Sequence, residues 1–598
     1  MKYGSKKSKV NKKVVGQIRK SQVITTFGPG AIVDMPDCSV IMASTDYWSD
    51  SRSFNEVNLQ RLLGMKYFKE PRATESESPM GNPDLPAFRF PMMHFCPKCN
   101  KLMSYKYFGD PDGKKCMNCG KSLVPSRFVA ACEKGHIEDF PYKWWVHSGN
   151  IKDCKEPERF DNLEIHFSSK SGGLGSITVK CTSCNKERSM EGCMSKNALK
   201  GYHCRGNRPW LGLRKEHYDP EACDEIMQTL QRGASNVYFS QTQSALTIPP
   251  WSKAIQEEIK KSWTEICNLL NNNPTDEILD MFLKAIFAKS LEKGEYSLED
   301  IKSEIRRKKL YEEEQAVDYT EYNLFADEYK ALSKEYDSDS KDQFRTIETE
   351  VAQCFEDYIS SVMLVKRLRE VLALKGFRRI SPSTDESKEK YVMLSSEPTD
   401  WLPAIEMLGE GIFIRFNEDK VKEWESRIGD RYEFMKANLG NENIAKGKFS
   451  PRYVMLHTFS HLLIRQLTSQ CGYSGSALKE RIYSTYEGED FDMAGVLIYT
   501  SSSDSDGSLG GLVRQGETEE LSNTILNLLQ EATWCSSDPL CIESKQQGYN
   551  SLNYAACHAC TLLPETSCEA RNCLLDRVSI VGKMNNRKLG YFGPLLEE

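Results

Sequence analysis

The spacing of apolar and polar residues divides the chain into segments with strand character and segments with helical character. Residues 23–27, 31–33 and 39–43 are short apolar runs separated by Gly-Pro-Gly and Met-Pro-Asp, which predicts strands joined by tight turns. Between residues 252 and 375, apolar residues recur at helical spacing among charged ones, which predicts several amphipathic helices. Residues 391–416 return to the pattern of short strands and loops.

Towards the C-terminus, residues 451–484 predict a long helix, a glycine break and a second helix. A buried strand, a loop of serines and aspartates, and a glycine pair that opens a helix follow between residues 494 and 516. With 598 residues, and about 150 per domain, the pattern predicts an α+β, multi-domain chain. The predicted regions are a basic arm (1–20), a β-rich N-terminal region (21–95), a zinc-ribbon and cysteine-rich region (96–251), a helical region (252–390) and an α/β zinc-binding C-terminal domain (391–598).

Composition and charge narrow the function classes. The net charge of −6 is mild, so any contact with nucleic acid must come from local basic patches. No apolar run reaches the length of a membrane span, and the basic N-terminus lacks the apolar segment of a secretory signal. We therefore expect a cytoplasmic protein without membrane contact, in a compartment where disulfides do not persist. The 21 cysteines, many in Cys-x2-Cys pairs, then indicate zinc.

The first cysteine group has the spacing Cys-x2-Cys-x16-Cys-x2-Cys, with Cys96, Cys99, Cys116 and Cys119 as its members. Each Cys-x2-Cys turn offers two thiolates to one metal ion, and two such turns complete a tetrahedron. Four thiolates leave a tetrahedral zinc ion no position for water, so this spacing predicts a structural site.

The second group is looser. Cys181 and Cys184 form another pair, and Cys204 follows, so we expect one zinc ion on these three with Cys193 or Cys223 as the fourth ligand. A further zinc site remains open, and its candidate ligands are Cys132, His136, His147 and Cys154. The alternative is that the histidines of this group are hydrogen-bonded within a core.

The third group lies near the C-terminus, where Cys557 and Cys560 form the pair "CHAC". Cys541 lies upstream and Cys568 a short loop downstream, and these four residues are the predicted ligands of a closed zinc site. Cys535 is an alternative to Cys541, and Cys573 is left as a spare cysteine.

Catalytic motifs are scarce in the sequence. It contains no Gly-x4-Gly-Lys-Ser/Thr, so hydrolysis of ATP by a phosphate-binding loop is not expected. His457 and His461 are four residues apart on a predicted helix, but Thr458 stands where His-Glu-x2-His has its glutamate. A metal-dependent nuclease or hydrolase using these histidines with Asp504 or Asp506 is the alternative to a non-catalytic binding protein.

Basic residues next to aromatic ones are the candidates for DNA contact, because this combination suits backbone pairing and base stacking on single strands. Ordinary core packing is the alternative. A sequence-specific DNA reader built on the zinc ribbon is a further possibility. The candidates are Arg205 and Arg208 near Trp210, Arg232 near Tyr238, and Lys12 and Lys13 in the basic arm.

Several stretches carry a family resemblance. The segment 453–577, with "HTFSHLL", "CHAC", Cys568 and the ending Asn572-x2-Leu575-Asp576-Arg577, resembles the zinc-binding domain at the C-terminus of MrfA-type DNA repair helicases. The whole chain resembles the DrmB family of helicase-associated proteins from the DISARM anti-phage system. The matching stretches are "SQVITTFGPGAIVDMPD", "FVAACEKGHIEDFPYKWWVH", "RPWLG", "SSDPLC" and "AACHACTLLPETSCE".

The resemblance implies a bacterial accessory protein that works with DrmA, a superfamily 2 helicase that supplies ATP hydrolysis. It implies that the pair binds DNA, favouring single strands or overhangs, and acts on phage DNA together with a methyltransferase. The Asp-Pro-Gly-Gly turn of the helicase relatives is replaced here by "SSDSDGSLGGL", which puts any role of that loop in doubt.

Overall fold

The structure is a computed structural model that describes residues 14–48, 51–73, 85–168, 172–212, 223–249, 258–259, 261–292, 297–313, 319–336, 343–381, 391–440, 444–445, 447–500 and 510–597. Lys12, Lys13, Asp504 and Asp506 lie outside the described residues. The chain forms two compact units. The N-terminal unit comprises Met1–Phe54, Met65–Gln243 and Leu372–Ile405, and the C-terminal unit comprises Asn55–Gly64, Ser244–Val371 and Glu406–Glu598.

The described residues up to Leu246 form short elements, as their short apolar runs and frequent turn residues predict. In chain order they are α1 (Lys20–Thr25), β1 (Ile32–Met35), β2 (Cys38–Met42), β3 (Ser53–Phe54), α2 (Val57–Leu63), β4 (Tyr67–Lys69), β5 (Ala87–Arg89), β6 (Met93–Phe95), β7 (Lys101–Ser104), β8 (Val124–Pro125), β9 (Phe128–Ala131), β10 (Ile137–Asp139), α3 (Tyr142–Val146), β11 (Leu163–Phe167), β12 (Ile177–Cys181), β13 (Glu187–Ser189), β14 (Gln228–Gln231) and β15 (Phe239–Leu246).

The remainder of the chain has longer helices and strands. These are α4 (Trp263–Leu270), α5 (Asp276–Ile286), α6 (Ala288–Glu292), α7 (Leu298–Glu313), α8 (Glu321–Leu332), β16 (Arg345–Thr349), β17 (Ile359–Arg378), β18 (Trp401–Phe416), α9 (Glu418–Ile428), α10 (Glu433–Leu439), α11 (Pro451–Cys471), β19 (Leu478–Ser484), β20 (Ala494–Thr500), α12 (Gly511–Gln515), α13 (Thr518–Ala532), α14 (Leu540–Glu543) and α15 (Val578–Val581).

Three small sheets organise the N-terminal unit, and their strand orders are β1-β2-β5, β10-β9-β14 and β13-β12-β11-β7-β6-β8. Neighbouring strands within these sheets pair antiparallel; β9, for example, pairs with both β10 and β14. Cysteines and histidines stand at the ends of several of these strands. The sheets therefore bring together side chains that are far apart in sequence.

A long antiparallel sheet supports the C-terminal unit, where β18 pairs with β20 and β20 pairs with β19. Helix α11 begins at the capping residue Ser450, whose hydroxyl accepts a hydrogen bond from the N–H of Tyr453 at 3.2 Å, and Pro451 occupies its first turn. Residues of α11 such as Phe459 and Leu463 are fully buried in the same apolar core as Ile412 and Ile498 of the sheet. This core fixes His457 and His461, which lie on α11.

The mixed helix and strand content agrees with the predicted α+β class. Two of the predicted elements differ. Residues 20–25 form a helix rather than a strand at 23–27, because Gln22 Oε1 accepts the Arg19 N–H at 3.0 Å and the helix buries Val23 and Ile24. Residues 391–416 form one continuous strand from Trp401 onward, rather than several short ones.

The helical prediction fails most clearly between residues 343 and 378, which hold β16 and the 20-residue strand β17. A helix in this stretch would place its charged residues on a solvent-facing surface. Instead Arg369 donates to Glu406 with its Nε at 2.9 Å, and Lys479 Nζ lies 3.0 Å from Glu370. Ion pairing allows these charged residues to lie inside the fold, on a strand that is buried on both faces. The mixture of charged and apolar residues in such a strand resembles the pattern of an amphipathic helix.

The same effect hides β19, which replaces the second helix predicted after residue 471. Its charged residues Glu480 and Arg481 are buried, so alternation between polar and apolar positions gives no signal of a strand. Among the described helices, none combines the length and the apolar character that crossing a bilayer requires.

Candidate metal centres

Five groups of four side chains place their donor atoms within 4.8 Å of one another. All five lie within a single unit each, three in the N-terminal unit and two in the C-terminal unit. They are the ribbon tetrad (Cys96, Cys99, Cys116, Cys119), the hairpin tetrad (Cys132, His136, Cys204, Cys223), the helix tetrad (His147, Cys154, Cys181, Cys184), the C-terminal tetrad (Cys535, Cys541, Cys557, Cys560) and the core tetrad (His457, His461, Glu480, Cys568).

The sulfur–sulfur distances fit zinc coordination. They are 3.9 Å for Cys99–Cys116, 3.7 Å for Cys154–Cys181 and 3.6 Å for Cys535–Cys557. A tetrahedron with a zinc–sulfur bond of about 2.3 Å has an edge of about 3.8 Å. A disulfide would need about 2.05 Å. The thiols are therefore arranged around a volume that fits one ion.

The ribbon tetrad is formed by two tight turns of the same kind. The N–H of Asn100 donates to Cys96 O at 2.9 Å, and the N–H of Gly120 donates to Cys116 O at 2.7 Å. Asn100 and Gly120 have φ of 59° and 66°, the left-handed region that asparagine and glycine tolerate. The structure brings together all four ligands predicted for this site.

The helix tetrad repeats this turn, since Asn185 (φ 60°) donates its N–H to Cys181 O at 2.8 Å. Its histidine ligand is oriented by the backbone, because His147 Nδ1 donates to Lys143 O at 2.7 Å and so directs Nε2 to Cys184 Sγ at 3.3 Å. Desolvation raises the pKa of the Cys184 thiol, but the hydrogen bond from the backbone N–H of Lys186 and the contact with the His147 ring outweigh it, and the pKa falls to about 7.

The hairpin tetrad is centred on the β9–β10 hairpin. Cys132 follows β9 and His136 precedes β10, which places Sγ 3.4 Å from Nδ1. Cys204 Sγ lies 3.8 Å from Cys132 Sγ and accepts the N–H of Gly206 at 3.4 Å. The contact with Cys132 outweighs desolvation and, together with the contact with His136, lowers the pKa of Cys204 to about 4.

The second predicted site is not assembled as expected. Cys181 and Cys184 meet His147 and Cys154, whereas Cys204 and Cys223 meet Cys132 and His136. The reason is topological: β12 carries its pair towards α3, while β14 pairs with β9 and places Cys223 near the β9–β10 hairpin. The four candidate ligands of the further predicted site are also divided between these two tetrads. Cys193 is buried outside all five tetrads.

The C-terminal tetrad contains Cys541, Cys557 and Cys560 as predicted, but its fourth member is Cys535 rather than Cys568. Cys535 follows α13, and its Sγ accepts the N–H of Ser537 at 3.4 Å. The hydrogen bond from Cys541, and then the Thr561 hydroxyl, lowers the pKa of Cys560 to about 4. Cys568 lies instead against α11.

Buried ion pairs hold the backbone around this tetrad in place. Arg577 Nη2 lies 2.7 Å from Asp538 Oδ1, and Asp538 Oδ2 accepts the N–H of Cys535 at 2.9 Å. Asp576 accepts from Arg431 Nε at 2.7 Å and from the Tyr432 hydroxyl at 2.9 Å. The Asp-Arg ending that marks the resemblance is therefore a support for the candidate metal centre.

The core tetrad contains the two histidines considered for hydrolysis. His457 and His461 lie on one face of α11 and are fully buried, with Glu480 and Cys568 as their neighbours. Burial lowers the pKa of His461, and burial followed by the nearby Glu480 raises the pKa of Cys568 well above its ordinary value. Four protein ligands leave a tetrahedral ion no open position for water, so this arrangement favours a structural site over a hydrolytic one.

The candidate DNA-binding residues have different surroundings. Arg205 is exposed, with its guanidinium 5.6 Å from the Tyr202 ring centre, and Arg208 is partly buried. Arg232 pairs with Asp34 at 2.9 Å and donates to Pro125 O and Ser126 O. Its guanidinium therefore stabilises the N-terminal unit itself.

The aromatic residues beside these cations are buried or partly buried. Trp210 is 1% exposed, and Tyr238 stacks on Phe377 with ring centres 4.9 Å apart. Trp210 is therefore not available for base stacking, and Phe377 covers one face of the Tyr238 ring.

The zinc-site geometry agrees with comparisons to known proteins. The family model of the MrfA Zn-binding domain matches residues 459–561, which contain the entire C-terminal tetrad. A domain of unknown function, DUF8724, matches residues 19–239, which contain the other three cysteine-rich tetrads. A curated protein of Bacillus paralicheniformis, described as "DISARM protein DrmB", is 35% identical over 590 residues, or 94% of this chain and 100% of that protein.

The chain belongs to the DrmB family. Zinc is the cofactor that the MrfA-type domain and the cysteine and histidine tetrads indicate. For this member of the DrmB family, the sequence predicted Cys132, His136, His147 and Cys154 as ligands of one further site rather than of two separate sites, and it gave Cys535 only as an alternative to Cys541. The available signals were the Cys-x3-His spacing of "CEKGH" and the positions of Asn and Gly directly after a Cys-x2-Cys pair.

Proposed function

We propose that this chain is a non-catalytic accessory subunit of a DISARM-type anti-phage defence complex. In this role it binds a DrmA-like superfamily 2 helicase and helps to hold single-stranded or overhanging DNA. The observation that carries the proposal is the 35% identity to a DISARM protein DrmB over nearly the full length of both chains. The ligands of zinc are, in this proposal, the ribbon, hairpin, helix and C-terminal tetrads.

The closed character of the tetrads supports a scaffolding role. Each offers four protein donors, and a tetrahedral zinc ion held by four protein ligands has no position for a reacting water. The sequence also lacks a phosphate-binding loop. ATP hydrolysis in the complex would then come from the helicase.

The helicase partnership has a direct test. Co-expression of the tagged chain with its neighbouring helicase should give a complex that co-elutes in size-exclusion chromatography, with DNA-stimulated ATPase activity. A helicase variant that lacks its ATP-binding lysine should abolish that activity without dissolving the complex. Robust ATP or DNA hydrolysis by the purified chain alone, sensitive to its own substitutions, would sink the accessory role.

For DNA we propose a backbone contact through Arg205 and Arg208, because Arg205 is the exposed cation of the candidate set within the described residues. Arg205→Ala combined with Arg208→Ala should weaken binding to single strands of different sequence by similar factors, since phosphate contacts carry no sequence information. Each lost contact should reduce the slope of log affinity against log salt by about 0.7.

Fluorescence anisotropy across a salt series measures both effects. Lys106→Ala, which removes an exposed cation elsewhere in the N-terminal unit, is the matched control and should leave the slope unchanged. An unchanged affinity and slope in the double variant would exclude these arginines as the contact. A loss confined to one base sequence would instead favour a sequence-specific reader.

A further inference from the structure

The core tetrad is distinct from the four cysteine-rich tetrads in its ligands and its position. His457 and Cys568 both lie outside the segment that matches the MrfA Zn-binding domain. The four side chains come from three places in the fold: His457 and His461 from α11, Glu480 from β19, and Cys568 from the segment before α15. All four belong to the C-terminal unit.

The donor atoms have the separations expected around a single small cation. His457 Nε2 lies 3.0 Å from Glu480 Oε1 and 3.2 Å from Cys568 Sγ, and His461 Nε2 lies 3.5 Å from Glu480 Oε1. With metal bonds of about 2.0 Å to nitrogen or oxygen and about 2.3 Å to sulfur, tetrahedral edges are about 3.3–3.6 Å. The observed set matches these edges within a few tenths of an ångström.

The tautomer of His461 favours a cation between its Nε2 atom and Glu480. Its Nδ1 donates to the carbonyl oxygen of Thr561 at 3.0 Å, so in the neutral ring Nε2 carries a lone pair. That lone pair faces a carboxylate oxygen, and within the described part of the chain Nε2 has no hydrogen-bond partner. His147 in the helix tetrad is oriented by the backbone in the same way.

Cys568 has the surroundings of a metal thiolate. Its Sγ accepts the N–H of Ala570 at 3.4 Å and the N–H of Asn572 at 3.1 Å. The same N–H, two residues after the cysteine and at the same 3.4 Å, is donated to Cys204 in the hairpin tetrad and to Cys535 in the C-terminal tetrad. The backbone is thus arranged around Cys568 as it is around two cysteines of the closed tetrads.

Charge balance leads to the same conclusion. Glu480 has both oxygens bonded, Oε1 to the N–H of Glu569 at 3.1 Å and Oε2 to the Ser460 hydroxyl. With a metal ion bound, Glu480 and the Cys568 thiolate supply two negative charges to a buried site, and burying unpaired charge is costly. A divalent cation between them, with two neutral imidazoles, makes the site neutral.

We propose that His457, His461, Glu480 and Cys568 bind a fifth divalent transition-metal ion, zinc, in a closed structural site. The mixed imidazole, carboxylate and thiolate donors suit zinc. The ion fastens α11 to β19 and to the C-terminal segment. This site goes beyond the proposed function, which assigns zinc to the other four tetrads only. It can be tested without measuring helicase or DNA binding.

Metal counting on the purified full-length chain tests the proposal. Inductively coupled plasma mass spectrometry should find five zinc ions per chain in the wild type. Glu480→Gln and, separately, His461→Gln should each lose one equivalent. His166→Gln, a partly buried histidine outside the tetrads, is the control and should keep all five.

A wild-type count of four, unchanged in the folded Glu480→Gln and His461→Gln variants, would overturn the proposal and leave a hydrogen-bonded polar cluster in its place. If the two variants fail to fold, the wild-type count still decides. Four zinc ions per folded wild-type chain contradict a fifth site, and five support it.

Discussion

Replacing Cys181 and Cys204 together with serine should remove two zinc ions from the chain, whereas each single replacement should remove one. The reason is that the two cysteines belong to different tetrads, the helix tetrad and the hairpin tetrad. In zinc-finger peptides, zinc binding corresponds to about 10–16 kcal/mol near neutral pH, and it is coupled to folding. Each loss should therefore also disorder the strands and loops around the affected tetrad.

Native thiol alkylation followed by peptide mass spectrometry can locate each loss. In Cys181→Ser, Cys154 and Cys184 should become reactive while Cys132 and Cys223 stay protected. In Cys204→Ser, Cys132 and Cys223 should become reactive while Cys154 and Cys184 stay protected. This readout remains useful if a variant is only partly folded, because it reports each tetrad separately.

Cys193→Ser is the matched control, since Cys193 is a buried thiol of the same unit that lies outside the tetrads. It should retain the full zinc content. A double Cys181→Ser/Cys204→Ser variant that loses only one zinc ion would show that the two cysteines share a site, as their order in the sequence first indicated.

The contrast between these two groupings shows what the sequence could determine. Each Cys-x2-Cys turn is local: Asn100, Gly120 and Asn185 complete the same hydrogen-bonded turn a residue after the second cysteine. Spacing therefore predicts the ribbon tetrad in full. Which isolated cysteine or histidine joins a turn depends on strand pairing, such as that of β14 with β9, and no local pattern records it.

Buried charge explains the elements that were misassigned. Glu370, Glu480 and Arg481 occupy strands, yet each is nearly inaccessible to solvent. Pattern analysis assumes that charged side chains face water. That assumption holds for α9, whose exposed charges leave Val421 and Trp424 buried, and fails for β17 and β19. The two strands that carry buried charged residues, β17 and β19, are therefore the elements that hydrophobic periodicity alone could not reveal.

Among the buried ion pairs, we expect the pair of Glu328 on α8 with Arg481 on β19 to contribute most to the free energy of unfolding. Arg481 Nε lies 2.6 Å from Glu328 Oε2, and its Nη2 lies 2.9 Å from Oε1. Glu328 also accepts the Tyr483 hydroxyl at 3.0 Å and the N–H of Leu246 at 2.8 Å. Glu328→Leu should lower the free energy of unfolding by about 3–5 kcal/mol, because it leaves a buried guanidinium without its carboxylate.

The double variant Glu328→Leu/Arg481→Met should recover a large part of this loss, since replacing both members of a buried pair by apolar groups is often close to neutral. Glu423→Ala, which breaks a partly exposed pair with Arg427 on α9, is the control and should change stability little. Thermal melting, together with hydrogen exchange of residues 478–484, measures the effects on the whole chain and on β19. A double variant as unstable as Glu328→Leu would mean that lost packing, rather than the unpaired charge, accounts for the destabilisation.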